Sequence, residues 1–179
     1  MINATCVLIT KEKEYPQEIL RALPDFDEFI VEENCPNIYR RYELAMQAKN
    51  DVIYVQDDDC IVNPVNLIFK YEDNLTNAMT EHHLNWYRDK GVTLVGFGTF
   101  FPKRMLLKIK PYLDRFGADK LLLREADRVF TYFNQPHNSI IMPIRNLNTA
   151  TDSSRMSTQR EHYESLDRII DRLKTFFVV

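Results

Sequence analysis

The chain has 179 residues, 45% hydrophobic and 27% charged, enough for one soluble domain with a substantial core. A net charge of −3 and a pI near 5.8, with no basic stripe, argue against broad nucleic-acid binding, which depends on neutralising many phosphates. No apolar run approaches the roughly 18–20 residues that cross a bilayer, and the three cysteines form no CxxC pair; a cytoplasmic protein, or a soluble catalytic fragment of a larger one, is expected.

Ala4–Thr10 is a short continuous apolar run, expected as a strand buried on both faces. Pro16 opens a helix carrying Ile19, Leu20 and Leu23 at helical spacing, and Pro24 closes it. Glu28–Glu32 holds the next apolar run, Ile38–Lys49 reads as a helix with Tyr42, Ala45, Met46 and Ala48 inward, and Val52–Val55 is a third strand. This alternation predicts an α/β domain with a mostly parallel central sheet flanked by helices. Further on, Asn66–Lys90 reads as mostly helical with Leu84 and Trp86 as inward anchors, and Thr93–Gly98 as a strand. Pro102–Leu113 reads as a short helix ended near Pro111, Lys120–Asn134 as a helix, and Ser139–Ile144 as a strand. His162–Phe177 is expected as an amphipathic helix burying Leu166, Ile169, Ile170 and Leu173. Arg145–Arg160, poor in apolar residues, is expected as a mobile loop that closes over a bound ligand.

Chemistry concentrates where the third strand ends, at Asp57-Asp58-Asp59. Three adjacent carboxylates repel unless a cation sits among them, and hard oxygen ligands suit Mg²⁺ or Mn²⁺. Ligands of open α/β sheets bind beyond the carboxyl ends of the strands, the position this run occupies. In extended chain, Asp57 and Asp59 would project to the same side. The plainer alternative is a solvated turn in which Asp caps the next element. Cys60 is read as a small buried filler, His82, His83 and His137 as structural or surface groups.

Val52-Ile-Tyr-Val-Gln-Asp-Asp-Asp-Cys-Ile-Val62 resembles the DxD segment of GT-A fold nucleotide-sugar glycosyltransferases. It is especially similar to the DDD form of exostosin-like and some viral or bacterial transferases. Ordered, weaker similarities run through Ile9-Thr10-Lys11, Arg40-Arg41-Tyr42, Gly96-Phe97-Gly98, Phe101-Pro102-Lys103-Arg104, Glu125-Ala126-Asp127, and Ser157 with His162. The resemblance implies a single-domain, Rossmann-like GT-A fold, with a nucleotide-binding part over about 1–65 and an acceptor side over about 66–179. It implies transfer of a sugar from a nucleoside diphosphate, UDP favoured, to a glycan or other hydroxyl acceptor, assisted by Mn²⁺ or Mg²⁺. Asp57, Asp59 and His162 would face the metal. Thr10, Lys11, Arg40, Arg41, Asp57, Asp58 and Arg155 would bind the donor. Asp127 or Glu125 would be catalytic: Ala126 stands where the family carries a glutamate, which divides that role, and two residues two apart on a regular helix do not share a face. The chain is short for the family, implying a trimmed acceptor half. A haloacid-dehalogenase-like phosphatase, with Asp57 as nucleophile and Asp59 as acid, is the rival enzyme. Gln56, Ile61 and the lack of a later GDxxxD weigh against it. A binding module without turnover is the third reading.

Overall fold

The computed structural model describes residues 1–88, 90–147 and 160–176, with the side chains of 160–163 outside the description. Six strands form one sheet in the order β2 (Phe26–Glu32), β1 (Ile2–Ile9), β3 (Val52–Gln56), β6 (Thr99–Pro102), β5 (Thr76–Met79), β7 (Asn138–Ile141). β2, β1 and β3 are parallel to one another, β5 and β7 likewise, and β6 runs against both of its neighbours. The sheet is therefore mostly parallel, as the alternation of the first third predicts.

Period-two side-chain alternation gives each strand a role on both faces. Val7, Ile9, Ile53, Val55 and Phe101 join one core. Helices α2 (Arg40–Gln47), α6 (Lys120–Phe133) and α7 (Arg160–Lys174) contribute Tyr42, Phe130 and Leu166 to it. Cys6, Leu8, Tyr54 and Phe100 join the other, with Ile19 of α1 (Gln17–Ala22) and Leu67 of α3 (Pro64–Ile68). Burying both faces is why β1 carries no polar alternation. In α7, Leu166, Ile169, Ile170 and Leu173 are all buried, as their spacing predicts.

The middle of the chain corrects the sequence-based expectation. Asn66–Lys90 is not mainly helical: β5 lies inside it, between α3 and α4 (Glu81–Arg88). β5 carries no apolar run because its buried Asn77 is satisfied by polar partners rather than by packing. Its amide donates to Thr93 Oγ1 and the Leu94 carbonyl, both at 2.9 Å, and accepts from Ser139 Oγ at 2.8 Å. On α4 it is Tyr87, 5% exposed, that anchors inward; Trp86 is 39% exposed, with the Lys90 ammonium 3.5 Å from its ring centroid. Thr93–Gly98 is irregular, and the strand begins only at Thr99. Pro102–Leu113 splits into a 3-10 helix (Lys103–Ile109) and α5 (Lys110–Phe116). Pro111 opens α5 rather than ending a helix, since the first turn needs no N–H from it.

The segment expected as a wholly mobile loop begins as a strand. β8 (Arg145–Asn146) pairs antiparallel with β4 (Cys60–Ile61), directly after the carboxylates. Residues 148–159, including Arg155 and Ser157, lie outside the described residues, as does any closure they make.

Candidate active site

Chain order makes the site. β1 leads through α1 to β2 on one side, and the chain returns through α2 to β3 on the other side of β1. The carboxyl ends of β1 and β3 therefore flank a topological switch point, the place where open α/β sheets receive ligands. Leu8 is level with Gln56 in the parallel register, which brings Thr10 beside the triplet. The Thr10 hydroxyl donates to Asp58 Oδ2.

The triplet is a turn, not an extension of β3, so the extended geometry on which a same-side projection of Asp57 and Asp59 was expected does not apply there. Its backbone is held at several points. Asp57 N–H donates to the Gly96 carbonyl at 2.8 Å, and Tyr15 Oη donates to the Asp57 carbonyl at 3.2 Å. Leu147 N–H donates to the Asp59 carbonyl at 2.6 Å, which ties the strand leading into 148–159 to the turn. Gln56, the polar last residue of β3, spans the turn: its Nε2 donates to the Cys60 carbonyl at 2.7 Å, while its Oε1 accepts from Tyr54 Oη at 2.7 Å. Cys60 is fully buried, as expected of a filler, and its thiol lies against the Gly96 carbonyl.

Gly96 leaves the space in which the Asp57 carboxylate lies. A Cβ at residue 96 would overlap Asp57 Oδ2 directly. Gly96→Ala is therefore expected to displace Asp57 and to weaken the UDP binding that the resemblance implies by tenfold or more, a change of about 1.4 kcal/mol, with a melting temperature only slightly lowered. Calorimetric titration checks it, and unchanged affinity would show that the position of Asp57 is immaterial to the donor.

Arg41 is the centre of the electrostatics. It lies on the inner face of α2 with its side chain 4% exposed, donating Nη2 to Asp57 Oδ1 and Nη1 to Asp127 Oδ2, the latter at 3.3 Å. Burial opposes its charge, but Asp127 and Asp57 more than reverse that, so the guanidinium stays protonated. Arg41 was expected at a donor phosphate; its fork is instead committed to two carboxylates of the protein. Tyr42 Oη completes the set, donating to Asp127 Oδ1 at 2.7 Å. Arg40, expected with it at the phosphates, has its Nε and Nη2 on Glu32 at 2.8 and 2.9 Å and its Nη1 on Glu43 at 3.1 Å. Lys11 is exposed on the loop after β1.

Glu125 and Asp127 part company on α6, whose backbone departs from helical geometry at Glu125 (φ −114°, ψ 29°). Asp127 turns to α2, whereas Glu125 accepts from Ser165 Oγ of α7 at 2.5 Å and lies 3.8 Å from Arg124 Nε. Burial pushes the Glu125 carboxyl up, against the Ser165 hydrogen bond, which favours the charged form. Asp58 is likewise pushed up, by burial first, with Thr10 opposing. His162 falls in the first turn of α7, and its side chain lies outside the described residues.

Among the described residues no three His, Cys, Asp or Glu side chains converge as a ready-made metal cluster. The donor set nevertheless fits a hard divalent ion, because Mg²⁺ is commonly held by one or two carboxylates together with substrate phosphates and water. Asp57 keeps Oδ2 clear of Arg41, and Asp59 is partly exposed. Sequence reasoning did not single out Tyr15, Gln56 or Ser165 as shaping the site: Tyr15 and Ser165 act through contacts 42 and 40 residues away in the chain, and Gln56 through local bonds to Tyr54 and Cys60 that exist only once the chain turns after β3.

No protein-family model matches the sequence, and no curated protein matches it. Solved structures do. Glucosyl-3-phosphoglycerate synthase from Mycobacterium tuberculosis, solved with Mg²⁺ and UDP, is 13% identical, with a TM-score of 0.54 over 92% of this chain and 78% of its own. The glycosyltransferase GlyE of Streptococcus pneumoniae is 11% identical (TM-score 0.49), matched over 78% of this chain, which spans 45% of GlyE's length. A197 from STIV is 10% identical (TM-score 0.48), over 84% of this chain and 96% of its own. The mycobacterial synthase shows the fold: this mixed α/β sheet flanked by helices is one a glycosyltransferase uses. Among the described residues no helix is long and apolar enough to cross a membrane.

Proposed function

We propose that the chain is a metal-assisted glycosyltransferase of GT-A type that takes a nucleoside-diphosphate sugar, UDP-linked in first preference, and passes the sugar to a hydroxyl acceptor. One observation carries the reading: Arg41 joins the strand-end carboxylate Asp57 to the α6 carboxylate Asp127. A donor-side acid and an acceptor-side acid are thereby held in one rigid frame at a topological switch point. Fold likeness alone would not grant activity.

In this reading the first part of the chain, about 1–65, holds the nucleotide, and the remainder forms the acceptor side. Asp59 and Asp57 would hold Mn²⁺ or Mg²⁺, with His162 as a further ligand. The ion, when bound, supplies charge neutralisation at the leaving diphosphate. Thr10 keeps Asp58 turned toward β1, so that Asp58 supports the turn. Lys11 and Arg155 are the cations assigned to the phosphates, where charge-assisted bonds are strongest, since Arg40, like Arg41, is already held by carboxylates of the protein. Asp127 accepts a hydrogen bond from the acceptor hydroxyl and takes its proton as that oxygen bonds to the sugar and the nucleoside diphosphate leaves; Tyr42 and Arg41 fix the carboxylate for that task.

Calorimetric titration of UDP with and without Mn²⁺ tests the donor site. Wild type is expected to bind more tightly with metal, and Asp59→Ala to lose that gain, on the order of 10–100-fold. Binding that ignores both metal and Asp59→Ala would sink the reading. Metal-dependent phosphate-ester hydrolysis without UDP binding would favour the phosphatase, and UDP binding without sugar transfer or donor hydrolysis would favour a binding module.

A further inference from the structure

Arg128 follows Asp127 on α6 and is 6% exposed. Its Nη2 donates to Tyr87 Oη at 3.1 Å, and its guanidinium carbon lies 5.0 Å from the Tyr87 ring centroid. Its Nε is buried and donates to nothing. Among the described residues Arg128 has no ion pair at all, in contrast to Arg41, which has two. A guanidinium taken out of water without a carboxylate against it is a costly arrangement, and the Tyr87 hydroxyl and ring face recover only part of that cost.

The neighbouring acids do not supply the missing contact. Asp127 has one oxygen on Arg41 and the other on Tyr42. Glu125, one turn back, is hydrogen-bonded by Ser165 and lies beside Arg124; it attracts Arg128 through space without pairing with it. A preformed, tethered arginine with no carboxylate in its fork suits the capture of a carboxylate or phosphate, whose oxygens that planar fork fits. Position narrows the source. Arg128 is one residue on from Asp127, about 1.5 Å of rise and 100° of turn along the helix, and Tyr87 fixes it on the α4 side.

We propose that Arg128, held by Tyr87, is the subsite for an anionic group, phosphate or carboxylate, carried by the hydroxyl acceptor. The acceptor part of this rests on Asp127 being the acceptor-side acid; the anion site itself rests on Arg128 and Tyr87.

Trp86 is the protein's single tryptophan, and its ring packs edge-on against Tyr87 with centroids 4.6 Å apart, so its emission reports on the subsite. Inorganic phosphate and acetate are titrated against the free protein and against protein saturated with UDP and Mg²⁺. A saturable change is expected for at least one anion, with the same midpoint in both forms. Arg128→Gln should raise that midpoint about tenfold or more, Tyr87→Phe should raise it less, and the exposed Arg104→Gln should leave it unchanged. No saturation, an unchanged midpoint in Arg128→Gln, or displacement of the anion by UDP would each overturn the proposal, the last by giving the anion to the donor. Melting provides a second readout: a cation whose partner is a ligand is not needed for folding. Arg128→Met should melt at or above wild type in anion-free buffer, and phosphate should raise the melting temperature of wild type alone. A variant melting well below a wild type that phosphate does not stabilise would make Arg128 structural. Failure of UDP to bind would defeat the donor reading only, because the titration of the free protein does not use it.

Discussion

Arg41→Met is expected to destabilise the protein by roughly 3–5 kcal/mol and to abolish sugar transfer. Removing one partner of a buried ion pair leaves the other charge uncompensated, and here one guanidinium serves two carboxylates. For a domain of this size the loss is a fall of roughly 6–20 °C in melting temperature, out of a total stability of about 5–15 kcal/mol. Methionine fills much of the arginine stem's volume, so the effect isolates charge and hydrogen bonding from packing. Arg41→Lys should recover part of the stability, since an ammonium can sit between the carboxylates. It should recover little of the activity, since a point charge cannot fork to Asp57 and Asp127 at fixed geometry. Thermal denaturation combined with a transfer assay separates the two effects. If Arg41→Lys were fully active, the frame joining donor and acceptor acids would not be part of the mechanism.

How far that frame can be read from sequence depends on the distance its parts span. The three parallel strands and the triplet at the end of β3 are legible because each rests on a local signal. Val52-Ile-Tyr-Val is apolar, the carboxylates come soon after, and the strand–helix alternation places them beyond the carboxyl ends of the parallel strands. Arg41 and Asp127 stand out as candidates, but their pairing across 86 residues of chain does not. An arginine before a DxD-like run suggests a phosphate ligand on charge alone. Only the fold shows that α2 turns this one inward while Arg40, its neighbour, meets Glu32 and Glu43. β5 escapes notice for the opposite reason: Asn77 is buried by hydrogen bonding, so hydrophobic periodicity has nothing to detect. The turn at 57–59 is likewise enforced from outside, by Tyr15, Gly96 and Leu147, against the extended geometry that the preceding strand suggests.

The sharpest division the structure makes is between the two acids of α6, and it predicts unequal variants. Asp127→Asn is expected to lower kcat by about 10²–10⁴ while leaving the affinity for UDP within a few-fold of wild type. The amide keeps the shape of the carboxylate but cannot take the acceptor's proton, and it can satisfy either Arg41 or Tyr42 as an acceptor, not both. A stability cost of about 1.5–3 kcal/mol, the worth of a hydrogen bond to a charged group, should accompany it. Melting curves must therefore be measured beside rates, so that unfolding is not mistaken for lost chemistry. Glu125→Gln should keep kcat within a few-fold, because its carboxyl faces Ser165 of α7 and is already pushed up by burial, so a neutral amide replaces it at little cost. The comparison is decisive because the two residues share a helix and a neighbourhood and are both buried, differing in what they touch. Should Glu125→Gln abolish transfer while Asp127→Asn spares it, the acceptor site would lie on the α7 side of the kink, and the Arg41 bridge would serve the fold rather than the reaction.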